Sequence, residues 1–145
     1  MKNILSTALA LTLFSCFEQG DCSDVSSNLM QVNFYNYSDK KTKTFLIDSV
    51  KMKDWDIVMY EGDSISTVKL PLNPAEEKMT FYFYYKTTVA TLDVEYKSRS
   101  YALAPDCKAI DLITLLDGTA TVIQDLKISQ PELSSSVTEN IKLYF

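Results

Sequence analysis

No histidine occurs in the 145 residues, and glycine and cysteine occur only three times each. Without histidine, Ser-His-Asp and Cys-His nucleophile systems are unavailable, as are the usual neutral-pH general base and the common zinc and non-haem iron ligand sets. Three glycines cannot build a Gly-rich phosphate cradle. Positive charge is short as well: 14 lysines and arginines stand against 19 acids, a net charge of −5. Nucleic acid demands a basic face, so this balance argues against nucleic-acid binding and equally against electrostatic attachment to anionic lipid. Together these gaps point away from an enzyme, and no cofactor or metal centre is expected.

Long apolar runs are also lacking. The run at the N-terminus, Ile4 to Phe14, follows Lys2 and has 11 uncharged residues. That is too short for the roughly 20 residues a membrane-spanning helix needs, but it fits the core of a secretory signal, typically about 7–15 residues. An ordinary signal closes on small residues at two spaced positions. Here Leu13 occupies one of them, and Cys16 directly follows Ser15. The ending Leu13-Phe14-Ser15-Cys16 resembles the lipobox of bacterial lipoproteins, with Phe14 bulkier than the usual residue at its place. The resemblance implies that the Cys16 thiol takes diacylglycerol, that the chain is cut before it, and that the new amine is acylated. Two or more acyl chains anchor stably where one binds only marginally. The alternative is an ordinary signal followed by a free, buried cysteine. The expected organisation is a signal peptide over 1–15, a lipidated tether over 16–28 and one domain over 29–145. Cleavage removes one lysine, leaving 13 basic and 19 acidic residues and a charge of −6.

In an oxidising compartment, Cys22 and Cys107 read as a disulfide. Closing a loop of about 85 residues would stabilise by roughly 4–5 kcal/mol through lost chain entropy. Free thiols or a metal pair are the alternatives, and two cysteines without histidine fall short of a zinc site.

The remaining pattern has period two. Met30 to Phe34 alternates apolar and polar residues, Thr44 to Val50 and Trp55 to Tyr60 are rich in β-branched and aromatic residues, and Met79 to Tyr85 is strongly β-prone. Ile65 to Leu70 and Thr91 to Tyr96 alternate too, Tyr101 to Leu103 is a candidate short strand, and Thr119 to Ile128 carries Val122, Leu126 and Ile128. Ala109 to Leu116 fits a short helix or a strand, Glu61-Gly62-Asp63 and Asp117-Gly118 read as turns, and Val137 to Phe145 closes the chain. About 8–10 short strands imply an all-β, antiparallel sandwich of the Ig-like or Greek-key type, with a small β-barrel as the alternative.

Several side chains invite a functional reading. In Phe81-Tyr82-Phe83-Tyr84-Tyr85, alternation sends Phe81, Phe83 and Tyr85 to the core and Tyr82 and Tyr84 outward, where flat rings can stack on sugars or anchor a protein. Asp93 and Glu95 share one strand face, which more simply reads as a solvated face than as a paired acid site. Asp54, Asp56, Glu61 and Asp63, with Asp21 and Asp24, are oxygen-rich but lack the spaced calcium-loop motif. Trp55 reads as a core anchor beside Ile57 and Met59.

The lipobox, Asp21-Cys22, Val32-Asn33-Phe34, Leu70-Pro71-Leu72, Thr91-Leu92-Asp93-Val94-Glu95-Tyr96 and Cys107 together resemble small uncharacterised lipoproteins of the Bacteroidota type. Lys108 stands where that group often has glycine. The resemblance implies a β-rich domain on the periplasmic face or the surface of the outer membrane. The expected role is therefore a lipid-anchored, non-enzymatic interaction or structural protein of the cell envelope. Its partners would be the membrane, through Cys16, and an envelope protein or glycan. A carbohydrate-binding module on the Tyr82 and Tyr84 face is the alternative.

Overall fold

Alternation becomes burial in β1 (Leu29–Tyr35), where Met30, Val32 and Phe34 are fully buried while Leu29 faces solvent. The computed structural model describes residues 26–53, 58–102, 105 and 107–145. After β1 come β2 (Phe45–Met52), β3 (Val58–Ile65), β4 (Thr67–Pro71), β5 (Lys78–Tyr85), β6 (Thr88–Tyr101), β7 (Ile110–Thr121), β8 (Asp125–Ile128) and β9 (Ile141–Tyr144). They form a four-stranded sheet, β4-β1-β9-β8, and a five-stranded sheet, β3-β2-β5-β6-β7. The protein is an all-β sandwich, and with separate edges on both sheets the barrel alternative falls away. No helix of the described residues is long and apolar enough to cross a membrane.

The sheets are antiparallel except at one strand pair. β1 and β9 pair in parallel, from Val32 opposite Ile141 to Tyr35 opposite Tyr144. The chain changes sheet at Ser66, between β3 and β4, where the Ser66 carbonyl accepts from Phe34 N–H at 2.9 Å. It also changes sheet between β1 and β2, between β4 and β5, and after β7, near Val122 at φ 65°.

Two expected turns lie within strands. Asp117-Gly118 sits inside β7, beside a register shift that puts Glu95 opposite Asp117 but Tyr96 opposite Leu115, leaving Leu116 as the extra residue of a bulge. Gly118 admits β8 rather than reversing the chain: a Cβ there would stand 3.2 Å from the Leu126 Cδ2 methyl. Glu61-Gly62-Asp63 lies inside β3, where Gly62 takes φ 67° near Asp48 of β2. On β2, Ile47 and Val50 both face inward with two residues between them, so the alternation slips once there. Val137 to Phe145 contracts to the four residues of β9, while Ala109 to Leu116 resolves as strand.

Between the sheets, Phe34 meets Phe45, Phe83 and Phe145 edge-on at centroid distances of 5.8, 6.0 and 5.8 Å. This aromatic group closes one end of the core. Toward the other end, Tyr96 is buried and its hydroxyl donates to the Asn73 carbonyl at 2.9 Å. Burial pushes that phenol up to about 12, so it remains a neutral donor well above the ordinary tyrosine range.

Among the described residues, Asn140 is the polar residue buried in this core. Its Oδ1 accepts from Gln31 N–H at 2.9 Å, and its Nδ2 donates to the carbonyls of Gln130 and Glu132 at 2.9 and 3.2 Å. Its own N–H donates to the Gln31 carbonyl at 2.8 Å, and its carbonyl accepts from Ser129 N–H at 2.8 Å. One side chain thus ties β1, the start of β9 and the crossover over residues 129–132. That crossover also pairs with β7, through Leu115 N–H to the Pro131 carbonyl and Leu133 N–H to the Ile113 carbonyl.

Candidate functional site

β5 is the middle strand of the five-stranded sheet, and its parity follows the sequence. Phe81 and Phe83 are fully buried, Tyr85 packs against the core, and Tyr82 and Tyr84 point outward and are half-buried. Tyr82 lies between Lys51 and Thr91, and Tyr84 between Ser49 and Val89. The Lys51 ammonium stands 5.7 Å from the centre of the Tyr84 ring. The rings therefore lie within a ladder of polar neighbours that includes the Thr91–Thr121 hydroxyl pair.

The acids of β6 are each engaged locally. Asp93, half-buried, accepts from the Thr80 hydroxyl, while exposed Glu95 pairs with Lys78 at 3.4 Å. Glu95 also borders a shallow depression with Glu77, Lys78 and Lys97, which Asp93 does not line. The structure does not bring the two carboxylates together across a cleft. Among the described residues no three potential metal ligands cluster. Cys16, Cys22, Asp21, Asp24, Asp54, Trp55, Asp56 and Ile57, and the side chains of Met59 and Asp63, lie outside the described residues.

Cys107 is half-buried, three residues before β7. Among the described residues, the first backbone pairing from the N-terminal side is the bridge from Ser26 to Ser134, within the stretch expected as tether. Ser26, Ser27 and Asn28 share a surface depression with Ala109, Ile110 and Asp111. Residues 26–28 and 109–111 thus run close together.

A second aromatic group, on the four-stranded sheet, escaped the sequence reading. The Tyr35 and Tyr144 rings pack 5.5 Å apart across the parallel β1–β9 pair. The Lys40 ammonium lies 3.9 Å from the Tyr37 ring centre and 4.4 Å from that of Tyr144. Lys142 reaches over Tyr35 at 5.2 Å and pairs with Glu139 at 3.1 Å. The Tyr35 hydroxyl donates to the same Glu139 carboxylate, and that bond, before burial, holds the Tyr35 phenol above its ordinary range. Glu139 likewise raises Lys142. These residues come from chain segments about 100 positions apart, so no local motif announces them.

Position along β1 separates the two tyrosines of this group from residues 26–28. β1 enters at Leu29 and runs seven residues to Tyr35, about 20 Å at strand spacing. Tyr35 and Tyr144 therefore lie at the end of β1 away from Leu29, while Lys142, opposite Asn33, and Glu139 extend the group back along the outer face.

These features define a β-sandwich module with aromatic and charged outer faces. Residues 47–145, from within β2 to the last residue, match a family of unknown function, DUF6452, and the chain belongs to it. Neither a curated protein nor a solved structure matches the chain.

Proposed function

We propose that this is a lipid-anchored protein of the cell envelope, of the Bacteroidota lipoprotein type, held at Cys16 in the outer membrane and acting by interaction or support rather than catalysis. The Leu13-Phe14-Ser15-Cys16 ending carries the reading, and the direction of β1 gives it a geometry. A chain held by its N-terminus enters the domain at one end, and this leaves the far end and both outer faces open to partners. The acidic balance of the chain leaves attachment to the acyl chains.

A Cys22–Cys107 disulfide belongs to the same proposal. Cys22 precedes Ser26 by four residues, a reach of about 13 Å, and Cys107 precedes Ala109 by two, about 7 Å. The shared depression between those segments supports a bridge that pins the tether to the domain wall. Carbohydrate binding through Tyr82 and Tyr84 is the second reading, favoured by two outward rings on the central strand.

Envelope fractionation of Cys16→Ala with fatty-acid labelling tests the anchor. Labelling should vanish and the protein should leave the membrane fraction. Labelling that persists in the variant would overturn the anchored reading.

A further inference from the structure

We propose that the end of the sandwich built from Tyr35, Tyr37, Lys40, Lys142 and Tyr144 binds an acidic saccharide. The proposal deepens the interaction role; only its outward orientation rests on the anchor, whereas the binding chemistry does not.

Charge is the first argument. In a chain with five more acids than bases, Lys40, Lys41, Lys43, Lys127 and Lys142 gather around this end against Asp39, Asp125 and Glu139. The local excess is positive and calls for an anionic partner. Aromatic surface is the second. Tyr37 is 46% exposed, and Tyr35 and Tyr144 are half-buried, so their rings combine apolar faces with hydroxyl edges. A pyranose presents CH groups that can lie flat on the exposed Tyr37 ring, and a carboxylate on the sugar can take the ammonium groups of Lys40 and Lys142 held over the neighbouring rings.

The group is also prepared in advance. Lys40 holds a left-handed backbone at φ 56°, an unfavourable conformation for a side chain-bearing residue. That conformation is fixed by Lys40 N–H to the Asn36 carbonyl at 2.9 Å and Asn36 N–H to the Lys41 carbonyl at 2.8 Å. Tyr37 N–H donates to the Phe145 carbonyl at 2.9 Å, which docks the loop on the end of β9. A rigid loop loses little freedom on binding.

A saccharide suits this group better than an acidic peptide. Glu139 and Asp39 interrupt the lysines, so a continuous run of carboxylates would meet repulsion. A carboxylate has about four acceptor positions, and Glu139 uses two on Tyr35 and Lys142. The remainder can accept from sugar hydroxyls. An acidic saccharide alternates carboxylate with hydroxyl in the same way.

Binding of polygalacturonate to the full chain in detergent micelles tests this, with dextran and polyglutamate as comparison probes. Saturable binding to polygalacturonate is expected, weakened by salt and much stronger than to either comparison probe. Lys40→Gly should weaken it about tenfold, the loss of one charge-assisted contact. The melting temperature should hold, because glycine takes the positive φ without cost. Tyr37→Ala should weaken binding similarly, and Tyr82→Ser should leave it unchanged. Absence of saturable binding would overturn the proposal. So would equal affinity for polyglutamate, which would mark an acidic-peptide site, or sensitivity to Tyr82→Ser without sensitivity to Lys40→Gly, which would move the site to the other sheet. Failure of the anchor would appear only in the Cys16→Ala fractionation, because the micelle assay does not depend on it.

Discussion

Replacing Asn140 by alanine is expected to destabilise the domain by about 3–5 kcal/mol. The substitution removes three side-chain hydrogen bonds and strands the Gln31 N–H and the Gln130 and Glu132 carbonyls. Each orphaned group costs roughly 1–3 kcal/mol where water cannot replace the lost partner. The site is 1% exposed, but the crossover over 129–132 can shift to admit some water, so the sum falls below the upper limit. Asn140→Asp distinguishes bonding from shape. It keeps the volume and the acceptor for Gln31 N–H, yet sets a second carboxylate oxygen against two carbonyls. It should therefore rescue none of the loss at neutral pH. Urea unfolding reads both variants as a lowered midpoint at unchanged slope. A loss under about 1 kcal/mol for Asn140→Ala would show that the crossover is not held by this side chain.

Phe34→Ala should cost a similar amount, about 3–5 kcal/mol, by a different route. Phe34 is fully buried and stands edge-on to three rings drawn from β2, β5 and the last residue of the chain. Truncation removes the transfer energy of a phenyl group and leaves a cavity at the junction of the two sheets. Phe45 and Phe145, only 4.4 Å apart at their centroids, are already in contact and can close little of it. Phe34→Leu keeps most of the volume and forfeits the edge-to-face contacts, so about 1–2 kcal/mol is expected. Thermal unfolding of the two variants should rank them in that order. Equal losses would mean that ring geometry, rather than volume, governs this end of the core.

The sequence made the inward faces readable because strand alternation acts residue by residue. Met30, Val32 and Phe34 on β1, and Phe81 and Phe83 on β5, are inward in pattern and in structure. The register between distant strands carries no such local mark. The parallel β1–β9 pair joins the two ends of the domain, so the Tyr35–Tyr144 contact and the Glu139 link were not legible in either segment alone. Asp117-Gly118 misled because glycine serves two purposes: turns exploit its backbone freedom, whereas Gly118 supplies the missing side chain that lets Leu126 approach. Asn140 gave no signal either. A lone asparagine before an apolar strand looks like a loop residue until the crossover closes over it. For the site, the outward parity of Tyr82 and Tyr84 was readable, but their half-burial by Lys51, Thr91 and Val89 was not.

The most direct test of the anchored reading is the intact mass of the protein extracted from native envelopes, with and without reduction before thiol alkylation. A chain that begins at Cys16, carries diacylglyceryl and acyl mass on that residue, and takes up alkylating agent at Cys22 and Cys107 only after reduction is the expected result. A chain that retains residues 1–15, or begins elsewhere with an unmodified Cys16, would contradict it.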